Sequence, residues 1–286
     1  MMRFYSLFLS LFAAGWLLAC LPEEGDSNPE ANLPAKTLTN QAYGTHPRQI
    51  FDIYLPPNRH ENTPTLILVH GGGWKEGNKS DMNPFRDFLR EQLPYLAVAN
   101  LNYRLADASN KPYPMQIEDI SSLVAYLEEH REEYQLGSRL GFLGVSAGGH
   151  LSLLWSYAHD TESRVEMVCS VVGPTDLLDE SYRTATNEYL REMLDLFGGN
   201  EELLTAASPI YQLQADSPAT LLFYGGNDPL VPSSQGMRLR DRLSELEVAH
   251  EFHFYPNEGH GWLGLNLLNS MIKLKAFIDK KLPNIP

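Results

Sequence analysis

The sequence predicts an α/β fold in which helices cover both faces of a mostly parallel central sheet. Apolar segments of strand length alternate along the chain with longer segments whose apolar residues recur every three or four positions, as on one face of a helix. The segment Thr65–Val69 is apolar almost throughout, which is typical of a central strand covered on both faces. The 286 residues are enough for one such domain with a large core.

The individual elements can be placed in chain order. Strands are predicted at 49–55, 65–69, 96–103, 140–145, 165–172, 219–225 and 251–255. Helices are predicted at 115–130, from about 150, and at 187–197, 235–246 and 267–281. The first strand alternates in polarity and ends at Pro56-Pro57, so it is expected to be an outer antiparallel strand. The segment 175–214 interrupts the alternation and is expected to form a small helical cap.

Composition and charge exclude several classes of partner. The formal charge is −14 and no basic cluster is present, which argues against nucleic-acid binding and against electrostatic docking on anionic lipid. The chain has two cysteines, Cys20 and Cys169. Cys169 lies in an apolar strand-like segment, so a buried inert thiol is expected there.

Residues 1–20 have the pattern of an export signal. Arg3 supplies a positive charge, residues 4–18 are almost wholly apolar, and the segment ends in Leu17-Leu18-Ala19-Cys20. This ending resembles the bacterial lipobox, in which the cysteine is lipid-modified and becomes the mature N-terminus. An uncleaved anchor or a signal cut elsewhere are the alternatives, although the apolar run is short for a spanning helix. Every alternative places the domain outside the cytoplasm, and a lipoprotein anchored through Cys20 to a bacterial membrane, facing the periplasm or the cell surface, is expected.

Residues 21–35 are polar, acidic and rich in proline, so they predict a flexible tether rather than folded structure. The folded domain is therefore expected to span residues 36–286.

A serine between two glycines marks the centre of the chain. Gly144-Val145-Ser146-Ala147-Gly148 follows a predicted strand and precedes a predicted helix, which is the context of a nucleophile elbow. Larger side chains at the glycine positions would collide with the neighbouring strand and helix. The N–H of Ala147, at the helix N-terminus, would face negative charge that forms beside Ser146. A glycine-rich turn with an ordinary serine is the alternative.

Ser146 would need a base and a carboxylate to act as a nucleophile. Of the nine histidines, His260 lies in a glycine-flanked loop between the last strand and the last helix. His150 lies on the helix after Ser146 and is expected to be a packed helix residue. Asp228 directly follows a strand, and Ser146, Asp228 and His260 follow one another in the chain order expected of a fold with a nucleophile elbow. Asp176 also follows a strand and is the second candidate for the acid.

The segment His70-Gly71-Gly72-Gly73-Trp74 directly follows a central strand. Its glycines would let the backbone approach a substrate closely and present N–H groups to a developing oxyanion. A merely flexible glycine loop is the alternative. No Cys/His cluster and no Gly-x-x-x-x-Gly-Lys motif occurs in the sequence, so no metal and no cofactor is expected.

These motifs together resemble one enzyme group. Over residues 40–282 the chain is similar to α/β-hydrolases of the hormone-sensitive-lipase-like group, and more narrowly to bacterial feruloyl and acetyl esterases. Besides the segments above, Asn102-Tyr103-Arg104-Leu105 and Ser208-Pro209-Ile210 carry the resemblance.

The resemblance implies a role for each site residue. Ser146 would be the nucleophile, His260 the base and Asp228 the residue that orients it. The N–H groups of Gly72, Gly73 and Ala147 would form the oxyanion hole. Two further side chains would support the glycine loop rather than take part in chemistry, namely His70 and Trp74.

The activity implied is that of a serine carboxylesterase acting on short-chain acyl esters or on carbohydrate-linked esters of the acetyl or feruloyl type. An arylformamidase related to kynurenine formamidase is one alternative, although the export signal argues against that cytoplasmic role. A catalytically inactive binding protein on a hydrolase scaffold is another, although Ser146, Asp228 and His260 are all present. The sequence leaves the oligomeric state open.

Overall fold

In the part of the chain that the structure describes, one sheet of eight strands is covered by helices, and its strand order is β1-β2-β4-β3-β5-β6-β7-β8. The computed structural model describes residues 33–184, 187–198 and 200–285. The strands are β1 (Lys36–Ala42), β2 (Ile50–Leu55), β3 (Thr65–Val69), β4 (Ala97–Leu101), β5 (Leu140–Val145), β6 (Val165–Val171), β7 (Ala219–Gly225) and β8 (His250–Tyr255). All six strands from β4 to β8 in this order run parallel, whereas β2 pairs antiparallel with β4 and β1 antiparallel with β2. The predicted mostly parallel sheet is confirmed.

The strand β1 was not predicted, and it makes β2 the second strand of the sheet rather than the outermost. Most of the residues in Lys36–Ala42 are exposed, because an edge strand has a neighbour on one side only. A strand of this kind carries no run of apolar residues from which it could be recognised.

Helices pack on both faces of the sheet, as predicted. The helices are α1 (Asn83–Gln92), α2 (Pro112–Glu129), α3 (Arg131–Tyr134), α4 (Ala147–Ala158), α5 (Glu180–Arg183), α6 (Glu188–Asp195), α7 (Glu201–Ala206), α8 (Pro209–Gln212), α9 (Ser234–Glu245) and α10 (Gly264–Lys281). The helix α1 was not predicted, since Leu89 is its only fully buried side chain and an apolar periodicity is hard to recognise in it.

The sheet separates two apolar cores, and β3 contributes to both. Ile67 and Val69 face the core that α2, α4 and α9 cover. Leu66 and Leu68 face the opposite core, which α1 and α10 cover. Alternate residues of one strand thus point to opposite faces, and burial on both explains why the strand is apolar almost throughout.

The segment between β6 and β7 contains the helices α5 to α8 in the part that the structure describes. Three of these short helices begin at a residue whose side chain accepts a hydrogen bond from the first turn, namely Asp179, Asn187 and Asn200. This is the segment predicted as a cap, and it is called the insertion below.

Residues 1–32 lie outside the described residues, and with them the predicted signal peptide, Cys20 and most of the predicted tether. Within the described part of the chain, no helix has the length and apolar character needed to cross a membrane. Cys169 is a free, fully buried thiol, and burial raises its pKa well above the usual value.

Candidate active site

The turn between β5 and α4 holds Ser146 in a strained backbone conformation. Its φ of 53° and ψ of −121° lie in a region that few residues other than glycine adopt. A Cβ atom on Gly144 would lie 2.1 Å from the carbonyl oxygen of Gly148, and one on Gly148 would lie 2.1 Å from that of Val69. The Ser146 N–H donates to the carbonyl of Val171 at 2.8 Å, which ties the turn to β6. The glycines are therefore required by the close packing of the strand, the turn and the helix.

Ser146, His260 and Asp228 form one continuous chain of hydrogen bonds. His260 Nε2 lies 2.9 Å from Ser146 Oγ, and His260 Nδ1 lies 2.8 Å from Asp228 Oδ2. Because a carboxylate can only accept, Nδ1 carries the proton and Nε2 is free to accept from the serine hydroxyl. The side chain of Asp228 is 1% exposed and that of His260 is 24% exposed. The carboxylate is thus shielded from water, while the imidazole reaches the cavity in which a substrate would lie.

Backbone groups fix the orientation of the Asp228 carboxylate. Its second oxygen, Oδ1, accepts from the N–H groups of Leu230 at 2.8 Å and Val231 at 2.9 Å, in a turn directly after β7. The oxygen facing His260 is therefore held in place by the turn that follows the strand.

Asp176, the second candidate for the acid, is engaged elsewhere. Its carboxylate forms an ion pair with Arg238 at 2.6 Å and accepts from the hydroxyl of Tyr211 at 3.2 Å. His260 is therefore hydrogen-bonded to Asp228 and not to Asp176. Because Arg238 lies on α9, its ion pair with Asp176 connects the insertion to α9.

The glycine loop approaches the serine closely. A Cβ on Gly71 would lie 2.9 Å from the Val145 carbonyl oxygen and 3.2 Å from Ser146 Cβ. Gly72 and Gly73 have φ angles of +114° and +53°, which glycine adopts without strain. Both glycines line the same cavity as Ser146, Ala147 and His260.

Buried polar contacts support this loop from beneath. The His70 ring is stacked on Tyr103 with centroids 4.2 Å apart, and its Nδ1 donates to the carbonyl of Gly71 at 2.6 Å. Its Nε2 accepts from Arg48 at 3.3 Å. Burial lowers the pKa of His70 to about 4, so the ring is neutral and can donate with one nitrogen and accept with the other. The residue thus connects the loop to the body of the domain.

Trp74, at the end of the loop, contacts His150 on α4. Its Nε1 donates to His150 Nδ1 at 3.1 Å, and His150 Nε2 donates to the carbonyl of Ala207 in the insertion at 2.7 Å. His150 is fully buried, and burial lowers its pKa to about 4. His150 is a packed helix residue, in agreement with the sequence analysis, and it joins the loop, the elbow helix and the insertion.

A cavity of about 360 Å³ lies above Ser146. Its floor is the glycine loop and the elbow, and one wall is apolar and comes from the insertion. The insertion residues that line it are Tyr182, Tyr189, Leu190, Met193 and Leu194. Phe85, from α1, lines the cavity as well.

Sequence reasoning missed several residues of this site. Arg48 and Tyr103 clamp His70, and Tyr103 also donates to the His70 carbonyl at 2.8 Å. The segment Asn102–Leu105 carries part of the family resemblance, but the resemblance does not indicate the contact between Tyr103 and His70. Phe85 and Met193 line the cavity from α1 and α6, and neither lies in a motif that could have revealed it.

Comparison with known proteins places the chain in a family. The model of the BD-FAE family matches residues 51–243, which is more than half of the chain. LipM of Mycobacterium tuberculosis, a probable carboxylic ester hydrolase, is 28% identical in an alignment of 201 positions that covers 64% of this chain and 45% of LipM. An acetyl esterase of Salmonella paratyphi B is 28% identical in an alignment of 219 positions that covers 70% of this chain and 65% of that esterase. The chain spans about half the length of the curated relatives it matches.

A solved structure shares the architecture. A truncated form of a carbohydrate esterase from gut microbiota superposes with a TM-score of 0.74 at 22% identity, covering 88% of this chain and 98% of that one. At this identity the likeness concerns the fold, which is the α/β-hydrolase fold. The match of the family model over residues 51–243 shows that the chain belongs to the BD-FAE family.

Proposed function

We propose that the chain is a serine carboxylic ester hydrolase that works through an acyl-enzyme intermediate. The observation that carries this proposal is the continuous hydrogen-bond chain from Ser146 through His260 to Asp228, at 2.9 and 2.8 Å, beside a glycine loop. Nucleophile, base and orienting carboxylate need this arrangement for acyl transfer. The named relatives, a probable carboxylic ester hydrolase and an acetyl esterase, support the same reaction.

In the first step Ser146 Oγ attacks the ester carbonyl carbon. His260 Nε2 takes the hydroxyl proton, and Asp228 stabilises the imidazolium that forms. When the tetrahedral intermediate collapses, the carbon–oxygen bond to the alcohol breaks and His260 returns the proton to the departing oxygen. The products of this step are a free alcohol and an acyl group on Ser146.

The second step repeats the first with water as the nucleophile. His260 takes a proton from water, the hydroxide attacks the acyl carbon, and Ser146 leaves with the proton that His260 returns. In both steps we assign the N–H groups of Gly72, Gly73 and Ala147 to the oxyanion. The support for this role is that these residues line one cavity with Ser146 and that Ala147 begins α4.

The proposed substrates are short-chain acyl esters or carbohydrate-linked esters of the acetyl or feruloyl type. A cavity of about 360 Å³ with one wall from a small insertion supports an acyl group of limited length. The acetyl esterase relative supports the same preference.

We propose further that the protein is exported and anchored through a lipid on Cys20. The sequence pattern of residues 1–20 supports this proposal. Growth of an expressing bacterium with a fatty-acid analogue tests it, since the protein should carry the label and Cys20→Ser should abolish it. An unlabelled wild-type protein would contradict lipid anchoring.

The activity itself is tested with 4-nitrophenyl acetate, butyrate and octanoate. The protein should hydrolyse the acetate and butyrate, and Ser146→Ala should abolish both reactions while circular dichroism and melting temperature stay near those of the wild type. Activity that rises steadily from acetate to octanoate would contradict the proposed short-chain preference. Equal activity in wild type and Ser146→Ala would contradict the serine mechanism.

A further inference from the structure

A second cavity, of about 240 Å³, also has His260 in its wall. It adjoins the cavity above Ser146, because Phe85, Val145 and His260 line both. The mechanism proposed above makes no use of it.

The walls of this second cavity are apolar. Leu267, Met271 and Leu274 recur at spacings of four and three residues and line it from one face of α10. Phe223 lines it from β7, and Trp262 from the loop after His260.

The polar side-chain atoms in these walls, apart from those of His260, are already paired. Trp262 Nε1 donates to Ser270 Oγ at 2.8 Å, and Ser270 Oγ in turn bonds to the hydroxyl of Tyr255 at 2.9 Å. Apart from His260, no lining side chain offers a free hydrogen-bonding group to a hydroxyl-rich ligand, and buried polar groups need hydrogen bonds. An apolar group is the ligand that fits this cavity.

The two cavities differ in which reacting groups they touch. The cavity above Ser146 contacts the glycine loop and the elbow, where the carbonyl and its acyl group must lie. The second cavity contacts His260 but neither Ser146 nor the glycine loop. His260 is the group that returns a proton to the departing alcohol, so the alcohol must lie against it.

From this arrangement we infer that the second cavity binds the alcohol portion of the ester, and that this alcohol is apolar and about the size of a benzyl group. The inference rests on the proposed function and narrows it. Among the substrates named above, it favours short-chain esters of apolar alcohols over esters of sugars. The hydroxyl groups of a sugar would lie against apolar walls without hydrogen-bond partners.

A variant that fills the cavity tests the inference by kinetics. Leu267 lies half-buried in the cavity wall, so Leu267→Trp can fill it without overpacking the core. The matched control is Leu268→Trp, since Leu268 is the next residue of α10, is 54% exposed and lines neither cavity. We expect the ratio of kcat/KM for benzyl acetate to that for methyl acetate to fall about tenfold or more in Leu267→Trp.

The same ratio should stay within about twofold of the wild-type value in Leu268→Trp. A second comparison uses 4-nitrophenyl acetate and 4-nitrophenyl butyrate, which share one alcohol. The ratio of their kcat/KM values in Leu267→Trp should therefore equal that of the wild type. A selective loss of the butyrate would assign the cavity to the acyl group and overturn the inference. An unchanged benzyl-to-methyl ratio would overturn it as well.

A binding measurement tests, independently of turnover, whether the second cavity binds an apolar alcohol. The protein is labelled with ¹³C at its methionine methyl groups and titrated with benzyl alcohol, with the signals assigned by single Met→Leu variants. Met271 lines the second cavity and Met193 the first. The Met271 signal should shift saturably in the wild type and in Leu268→Trp, and stay unmoved in Leu267→Trp, with little change at Met193.

A shift at Met193 alone, or no shift at all, would overturn the inference. If the wild type hydrolysed no ester, the proposed function would fail, whereas the Met271 titration would still decide whether the second cavity takes an apolar alcohol.

Discussion

The catalytic edge of the sheet and the insertion are built in different ways. Around Ser146 the backbone segments approach so closely that Gly71, Gly144 and Gly148 leave no room for a side chain. The insertion contacts the same cavity through side chains on short helices such as Glu188–Asp195, and part of its attachment is an exposed ion pair between Lys75 and Glu192. The parts proposed to do chemistry are therefore fixed by backbone geometry, whereas the parts proposed to select the substrate depend on side chains.

The largest effect is expected from breaking the pair that orients His260. Asp228→Asn should lower kcat by about 10⁴-fold, because an amide in place of the carboxylate favours the wrong tautomer of the imidazole. The matched control is Asp176→Asn, because the wild-type Asp176 carboxylate contacts Arg238 instead of His260. This variant should lower kcat by less than about tenfold. Equal losses in the two variants would contradict the assignment of Asp228.

A methyl group at the elbow should be the next most damaging change. Gly148→Ala would place a Cβ 2.1 Å from the Val69 carbonyl oxygen, which is backbone and cannot move aside. We expect the free energy of unfolding to fall by about 3 kcal/mol. Gly261→Ala is the control, because nothing lies within 4 Å of its added Cβ. Urea unfolding measures the free energy of unfolding of both variants. A Gly148→Ala protein as stable as the wild type would contradict the close packing of the elbow against the Val69 carbonyl.

The pH dependence of stability tests whether His70 and His150, which support the glycine loop, are buried and neutral in the folded protein. Burial lowers the pKa of His70 and of His150 to about 4 from the ordinary 6.5, so between these values the unfolded chain binds protons that the folded chain does not. Stability from these groups is therefore complete above pH 6.5 and is lost as the pH falls toward 4. Each group should contribute on the order of 3 kcal/mol to this loss.

Unfolding in urea at pH 7 and at pH 4.5 measures the effect, and His150→Gln should make the fall in stability clearly smaller. An identical pH dependence in His150→Gln and wild type would mean that His150 does not stay neutral in the folded protein.

The smallest effect is expected where the insertion meets the loop at the surface. Lys75 and Glu192 are 3.2 Å apart, with side chains 28% and 59% exposed. Exposed pairs contribute little, so Glu192→Gln should change the free energy of unfolding by less than about 0.5 kcal/mol. Its kcat/KM for 4-nitrophenyl acetate should stay within about twofold of wild type. A tenfold loss would make this pair a determinant of catalysis and weaken the contrast between the two regions.

The same contrast explains what could be predicted from the sequence. The central strands, the order of Ser146, Asp228 and His260, and the glycine loop are recognisable because buried strands must be apolar and close backbone contacts require glycine. The edge strand Lys36–Ala42 and the helix Asn83–Gln92 bury too few side chains to leave a clear pattern.

The residues that shape the two cavities could not be predicted for a related reason. Phe85, Met193 and Trp262 come from separate elements, and only the folded chain brings them to the two adjoining cavities. An apolar side chain that lines a cavity looks the same in sequence as one that packs in a core. The chemistry could therefore be inferred from motifs, whereas the alcohol site required the three-dimensional arrangement.

The most direct test of the central claim is to find the residue that becomes acylated or phosphonylated. The folded protein is treated with a fluorophosphonate, and its intact mass and peptides are then analysed by mass spectrometry. We predict one adduct per chain, located on Ser146, absent from Ser146→Ala and formed far more slowly by Asp228→Asn. An adduct on another residue, or none on folded wild-type protein, would contradict the account of Ser146 as a nucleophile activated by His260.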